Sequence, residues 1–415
     1  MTSPRRLGRP RRSAVPAFEA FGGGSALPSR RSGRRRLGYL GLRVTNRLVP
    51  KRRDKVVLHS TIDVEDGILA VLEELAARGR TATVLLEDME RADRLRAMAD
   101  RPVRLVAKRS LRGLRHFLTA RYVMTTERVF GEGTPPASQV LVNLWHGEPP
   151  TKVTGLFSPG QDGVPGTYAP VCSTVGRAYR AAEFGIHPLQ APVIGAPRND
   201  RMRHADPARM RRELLGEDAE LTTFFWLPSF RVGAWGTRRR ADASDHTPGL
   251  PFSPEDLHRL DDWLVEHGAR VVVKLHPHDV EAFAGDFAAI RVLTQDDMEA
   301  RGLTLYPLLP VFDALITDAS SVWVDYLLTG QPMIFAFPDV DRYRGGRGLN
   351  LAPYEDWVPG PFCVDVEGLI GAMRDVVEGR DSMAQERTVA ARRFHQFQDH
   401  GSTARLLDGL GITAR

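Results

Sequence analysis

Cysteine is nearly absent. The 415-residue chain has only Cys172 and Cys363, far apart and in no CxxC arrangement, so neither a disulfide framework nor a zinc knuckle is suggested. Each is read most simply as a small core residue of a protein kept in a reducing compartment. No stretch reaches about 18 apolar residues without charge, so no spanning helix is expected. Residues 1–36 lack the apolar centre of about 7 to 15 residues that a secretory signal carries. Three catalytic fingerprints are missing as well. The first strand-like run is followed by "STIDVEDG" rather than G-x-G-x-x-G, and neither GxxxxGK[ST] nor G-x-S-x-G occurs. These absences argue against the common dinucleotide, P-loop and serine-hydrolase designs but leave nucleotide binding open.

Charge is unevenly spread. Residues 1–55 hold 16 Arg and Lys against Glu19 and Asp54, a net of +14, whereas the remainder has 41 basic and 49 acidic side chains, a net of −8. The high pI therefore belongs to the leader, and a mildly acidic body argues against a nucleic-acid surface. In "RRRLGYLGLRVTNRLVPKRR", Leu37, Tyr39, Leu40, Leu42, Val44 and Leu48 alternate with cations, as in a segment lying on an anionic cytoplasmic leaflet. Gly38 and Gly41 weaken a helical reading, and a flexible basic leader of no defined role is the plain alternative.

From Lys55 onward the texture is that of alternating strands and helices. "KVVLHST", "RTATVLLED", "PVRLVAK", "RYVMTTERVF" and "QVLVNLWH" read as strands, with helical "VEDGILAVLEELAARG" and "LRGLRHFLTA" between them. A second series opens after "HPLQAPVIGAPRND". It comprises "LTTFFWLPSF", "ARVVVKLHPH", "IRVLT", "FDALITD" and "QPMIFAFP", with a helix "SPEDLHRLDDWLVEHG" whose Ser253 and Asp256 form a start signal. Residues 231–252 read as a loop that is mobile or closes on a ligand. The pattern predicts an α/β protein of two Rossmann-like, doubly wound domains facing a cleft. Their spans are 56–200 and 201–415, preceded by the disordered or surface-associated leader 1–55, and the last helix is expected against the first domain.

Four segments that stop a strand carry the chemistry. "LWHGEPPTK" presents His146, Gly147, Glu148 and Lys152; "LPSFR" presents Arg231; "KLHPH" presents Lys274, His276 and His278; "LITDASSVWVD" presents Ser320, Ser321 and Asp325. Together they supply histidines, cations and hydroxyls suited to an anionic, phosphate-bearing ligand. Each has a plainer alternative: helix capping for Asp318 and Ser320, a satisfied interdomain histidine for His146, a surface residue for His278. His146 is the acid/base candidate, because a ring with a pKa near 6.5 accepts a proton at neutral pH. Asp325 lies one turn from Ser321 and is suited either to accept from ligand hydroxyls or to orient a basic neighbour. A metal site at "KLHPH" lacks patterned third and fourth ligands.

The ordered set "NLWHGEPPTKVTG", "GAPRND", "LPSFR", "KLHPH", "LITDASSVWVDYLLTGQPMIFAFPDVDRYRGGRG" and "FHQFQDHGS" closely resembles the CDP-glycerol glycerophosphotransferase family of bacterial enzymes that build teichoic acids and related polymers. The resemblance spans roughly residues 56–405. It implies a two-domain fold of the glycosyltransferase-B (GT-B) type, a CDP-polyol donor, CDP-glycerol or a relative, and a lipid-linked disaccharide or polyol-phosphate polymer as acceptor. No tightly bound cofactor is expected, with Mg2+ at most loosely associated with the pyrophosphate. The implied location is peripheral, on the cytoplasmic face of the cell membrane.

Carried onto this chain, the resemblance makes His146 the catalytic base and counts His276, in the "K.HP" motif, as a second catalytic residue that corresponds to a donor pyrophosphate contact. Arg231, Lys274, Ser320, Ser321, Asp325, Arg347 and Gly348 are assigned to the donor, and Gly147, Glu148 and Lys152 to the acceptor-facing loop. Glu148 stands where the family usually has a small hydroxyl residue, Pro150 where it has Leu, and Ala319 where an aromatic is common. A change in acceptor recognition is the expectation attached to Glu148. The alternatives are a nucleotide-sugar glycosyltransferase of the same architecture and a non-catalytic, membrane-associated assembly protein.

Overall fold

In a strand, successive side chains point to opposite faces, so a strand buried on both sides must be apolar throughout. Five strands near the start of the folded body carry such apolar centres, with polar residues kept to their ends or edges: β1 (Arg52–His59), β2 (Ala82–Leu86), β3 (Arg104–Ala107), β4 (Ala120–Thr125) and β5 (Val140–Asn143). They form one parallel sheet in the order β3-β2-β1-β4-β5. Val57, Leu85, Val106, Val123 and Leu141 pack on one face with Phe117. Val56, Leu58, Val84, Met124 and Val142 pack on the other with Ile68 and Leu75. The computed structural model describes residues 33–61, 65–98, 103–127, 129–130, 135–148, 166–204, 206–229, 250–275, 283, 285–346 and 348–415.

The second sheet is built from β6 (Thr222–Trp226), β7 (Ala269–Val273), β8 (Ile290–Val292), β9 (Ala314–Thr317), β10 (Met333–Ala336) and β11 (Phe362–Cys363). It too is wholly parallel, in the order β11-β10-β9-β6-β7-β8. Read from its own first strand this is the doubly wound order 3-2-1-4-5-6, whose strand order reverses between β6 and β9. Phe225, Val272, Leu315 and Phe335 face one core, and Phe224, Trp226, Val271, Val273, Ile316 and Ile334 the other. Truncating a wholly buried ring such as Phe225 to Ala would cost about 3–5 kcal/mol. The two-domain, GT-B-like arrangement expected from the sequence is the one observed.

Helices close each layer, and their ends follow from the sequence. α1 spans Gly33–Leu48, α2 Asp66–Ala77, α3 Ala92–Met98 and α4 Leu111–Thr119. Past α2, Gly79 takes a left-handed φ of 67° that a side chain would resist. α5 (Thr174–Phe184) and the short α6 (Pro197–Asp200) connect the sheets. The second domain adds α7 (Pro207–Leu215), α8 (Pro254–Glu266), α9 (Gln295–Ala300), α10 (Leu305–Leu308), α11 (Val322–Tyr326), α12 (Val340–Gly346), α13 (Val366–Val377), α14 (Ala384–Phe394) and α15 (Ser402–Gly409). At α8, Ser253 accepts from the Asp256 amide at 3.1 Å and Asp256 accepts from the Ser253 amide at 3.3 Å, the reciprocal cap read from the sequence.

α1 corrects one expectation. Gly38 and Gly41 do not prevent a helix; both meet open space, while Leu42 joins a core cluster and buried Asn46 donates to Gln139 at 2.9 Å. Packing of an inward face outweighs the propensity cost of two glycines. At the other end of the chain, Leu406, Leu407 and Ile412 join the core of the first sheet, and Tyr122 donates to the Leu410 carbonyl at 3.0 Å.

Candidate functional site

Ligands of open parallel sheets sit beyond the strand C-termini at the point where strand order reverses. In the second domain that point is bridged by Asp318. Both its oxygens accept from the Ser229 amide after β6, at 2.9 and 3.0 Å, and one accepts from the Ser320 amide at 3.1 Å. Asp318 therefore fastens the two loops rather than capping α11 in the usual way. Ser321 is the first flanking residue of α11 and its hydroxyl makes no capping bond, so Ser320 and Ser321 are half-buried hydroxyls at the sheet end. Lys274 follows β7 and is half-buried; burial lowers its pKa from the usual lysine value, and its ammonium has no acceptor among the described residues.

The first domain supplies the opposing loop. β5 ends at Asn143, whose Oδ1 accepts from the Trp145 amide at 3.0 Å. Trp145 has a φ of 53°, rare for a bulky residue and held here by its surroundings. Its ring meets Phe184 edge to face at 5.1 Å and stacks on His146 at 4.3 Å, with the Arg180 guanidinium 5.6 Å from it. His146 itself is exposed. The backbone then turns inward: a β-carbon on Gly147 would lie 2.2 Å from Ser321 Oγ and 3.2 Å from Ser321 Cβ. The "HG" and "ASS" segments, remote in sequence, thus meet across the domain boundary. A side chain at that position would have to push Ser321 aside.

Beneath this contact lies a buried ionic network. Arg198, on α6 of the "GAPRND" segment, donates to both oxygens of Asp325 at 3.0 and 3.1 Å and approaches Glu148 Oε1 at 3.5 Å. Tyr306 donates to Asp325 at 2.8 Å. Glu148 also accepts from the Cys172 amide at 3.3 Å, and Arg180 donates to the Gly147 carbonyl at 2.7 Å. Burial raises the Glu148 pKa, with Arg198 and Arg180 opposing the shift. Burial alone would lower that of Arg198, but Asp325, Tyr306 and Glu148 hold it firmly charged.

Asp325 and Glu148 both lie inside this network. Asp325 is wholly buried, its two oxygens accepting from Arg198 and one of them also from Tyr306. Glu148 is likewise buried against Arg198 and Cys172. His146, Gly147, Ser320, Ser321 and Lys274 are described, and Gly348 adopts a left-handed φ of 84° after α12. Lys152, Arg231, His276 and Arg347, with His278, Pro150 and most of the 231–252 loop, lie outside the described residues.

Sequence reasoning gave no role to Arg180, Arg198, Tyr306 or Glu65. For Arg198 the signal was a cation in the "GAPRND" segment; for the others nothing marked them. Glu65 precedes α2. Its burial, and then the neighbouring Asp66, raise its pKa to about 7, with Arg198 acting the other way. Asp66 crosses the domain boundary to accept from Thr304 Oγ1 and from the Tyr306 amide, the latter at 3.2 Å. Among the described residues no group of three His, Cys, Asp or Glu side chains is placed to hold a metal ion, and no helix is long and apolar enough to cross a membrane.

Comparison with known proteins gives this geometry a family. The family described as CDP-Glycerol:Poly(glycerophosphate) glycerophosphotransferase matches residues 42–410. The teichoic acid ribitol-phosphate primase of Bacillus spizizenii is 26% identical over 387 residues, 87% of this chain and 92% of that protein. The teichoic acid glycerol-phosphate primase of Bacillus subtilis is 26% identical over 232 residues, 54% of this chain and 52% of that one. A ribitol-phosphate polymerase of Staphylococcus aureus, TarK, is matched over only 52% of its length, at 24% identity. In fold, the wall teichoic acid polymerase TagF superposes with a TM-score of 0.67 at 16% identity, covering 91% of this chain and 95% of that one. With a family match running through both sheets and the loops between them, the chain belongs to the CDP-glycerol:poly(glycerophosphate) glycerophosphotransferase family and is an enzyme of the CDP-polyol phosphotransferase type.

Proposed function

We propose that the chain transfers glycerol phosphate from CDP-glycerol to a hydroxyl of a lipid-linked or polymeric acceptor, releasing CMP, with His146 as the base. The observation that carries this is the contact of Gly147 with Ser321, which sets His146 beside the strand ends where a donor pyrophosphate would lie. The acceptor oxygen attacks the β-phosphorus and forms a phosphodiester. The bond from that phosphorus to the bridging oxygen breaks, and CMP leaves with the electron pair. His146 takes the hydroxyl proton. Lys274, Ser320 and Ser321 would offset charge on the phosphoryl oxygens, with Arg231, His276, Arg347 and Gly348 as further donor contacts and Lys152 on the acceptor side. Placement and electrostatics supply most of the rate in such a transfer.

CDP-ribitol is the rival donor, favoured by the relative that spans most of the chain, a ribitol-phosphate primase. CMP release from either donor, with and without a lipid-disaccharide acceptor, decides between them when run beside His146→Ala. Acceptor-dependent release that disappears in the variant supports the reading. Undiminished release from His146→Ala would remove the base assignment, and release from neither donor would remove the polyol transfer.

For location we infer peripheral attachment to the cytoplasmic leaflet through α1. Leu40, Val44 and Leu48, one turn apart, are 58%, 49% and 76% exposed, with exposed Arg43 and Arg47 beside them. An outward apolar stripe edged by cations suits an anionic lipid surface at about 1 kcal/mol per near-surface cation. Replacing the leader arginines with glutamine should release the protein from anionic vesicles; unchanged binding would overturn the assignment.

A further inference from the structure

Two loops must keep register for the proposed reaction, the one carrying His146 and the one carrying Ser320 and Ser321, and they come from different domains. Gly147 lies directly against Ser321. What lies behind each loop is ionic. Asp325 lies on α11 itself and Glu148 two residues past His146 in the opposing loop; one side chain, Arg198, reaches both. Its guanidinium spends a planar, bidentate face on Asp325 and still presents Nη2 to Glu148, a geometry that a lysine ammonium lacks. The Tyr306 hydroxyl takes the remaining approach to Asp325, with the guanidinium 5.8 Å from its ring. Arg180 grips the same loop through the Gly147 carbonyl, with its guanidinium 5.6 Å from the Trp145 ring and 4.7 Å from the Phe184 ring.

Such a network is a poor device for stability. Charges withdrawn from water lose solvation that their pairing recovers only in part, and well-packed apolar residues often serve stability better. Its position speaks to a different use. α6 is the segment by which the chain passes from one sheet to the other, and Arg198 projects from it toward the back of both loops.

We propose that Arg198 is a positioning residue for the transfer: by holding Asp325 and Glu148 at once, it locks the loop that carries His146 against α11 and the Ser320–Ser321 segment that leads into it. Arg180 secures the same loop through its backbone. Glu148, a departure from the family's usual residue, is on this account the first domain's handle for Arg198. The inference rests on the reading of His146 as the base.

The test is steady-state CMP release by the full chain for Arg198→Lys, Glu148→Gln, the double variant and His146→Ala, each normalised to folded protein. Arg211→Gln serves as control. Arg211 bonds Asp313, Ala219, Leu221 and Val311 near the start of β9, at the opposite end of the sheet, so its loss should lower Tm without lowering kcat. Arg198→Lys keeps the charge but not the fork. It is expected to lower kcat about 100-fold, as a misplacement near 1 Å does, while donor KM stays within about threefold. Glu148→Gln keeps the volume and should lower kcat about tenfold, and the double variant should be no worse than Arg198→Lys alone. Should Arg198→Lys fail to fold, the isosteric Glu148→Gln carries the test. A kcat unchanged per folded molecule, or a change confined to KM or Tm, would overturn the proposal. If His146→Ala abolishes release while Arg198→Lys is fully active, only the positioning inference falls; if His146→Ala stays active, the base assignment falls with it.

Discussion

Gly147 and Ser321 stand so close that one methyl group on the former would fall 2.2 Å from the hydroxyl oxygen of the latter. A serine hydroxyl can rotate aside, but its β-carbon, at 3.2 Å, moves only with the helix backbone. Gly147→Ala should therefore displace the His146 loop by a few tenths of an ångström. The expected outcome is at least about a tenfold fall in kcat for CMP release with Tm altered by only a few degrees. Full activity in Gly147→Ala would show that the two loops tolerate separation.

Glu65 sets a pH dependence of stability whose sign is fixed by its environment. Its carboxyl titrates at about 7 in the fold, because of burial and then Asp66, against an ordinary 4.5. The folded state thus holds the proton more tightly than the unfolded chain. Stability from this group is present below pH 4.5 and is lost as pH rises toward 7, by up to about 3 kcal/mol. Glu65→Gln keeps the neutral form at every pH. It should raise Tm at pH 8 relative to the parent and flatten the decline between pH 4.5 and 7 in thermal scans; parallel Tm–pH curves for the two proteins would refute the account.

The sheets were legible in the sequence for a physical reason: parallel strands covered on both faces read as short, continuous apolar runs, as in "TTFFW" and "ARVVV". The ends of those strands were marked too, by the polar residues that follow the apolar runs, His146, Lys274 and Ser320 among them. The network behind them was not. Arg198 and Tyr306 lie in short helical turns with no periodic signal, and their partners Glu148 and Asp325 are distant in the chain. Only folding brings those charges together. α1 was obscured by its glycines, since the contact of Asn46 with Gln139 that favours it is 93 residues long-range.

Lys274 should make donor binding sensitive to alkali. Burial lowers its pKa from the ordinary 10.5, so the ammonium loses its proton sooner than an exposed lysine would as pH rises. If it meets donor phosphate, donor KM should climb on the alkaline side below the usual lysine range. Lys274→Arg keeps a charge at all accessible pH and should carry that limb to higher pH, even if it lowers affinity overall. A KM–pH profile with the same alkaline limb in parent and Lys274→Arg would assign the titration elsewhere.

Asp200 holds the end of the chain in place, and its removal should be felt as lost stability. Its carboxylate accepts from the Ser402 amide at 3.1 Å, the Thr403 amide at 2.7 Å and the Thr403 hydroxyl at 2.6 Å. These are free donors of the first turn of α15, and a carboxylate there also meets the positive end of the helix dipole. Nearby, Gly195 at a φ of 89° approaches Ser402 so closely that a β-carbon would lie 2.2 Å from its hydroxyl. α15 then places Leu406 and Leu407 in the core of the first sheet. Asp200→Ala strands buried donors without replacing their bonds, which costs about 2–4 kcal/mol. The urea midpoint should fall accordingly, with the slope of the transition unchanged if the unfolding remains cooperative. Asp200→Asn, which keeps acceptor capacity without the charge, should recover about half of the loss. An Asp200→Ala protein as stable as its parent would mean that the apolar packing of Leu406 and Leu407, with the bonds of Arg78 and Arg405, is enough to hold α15.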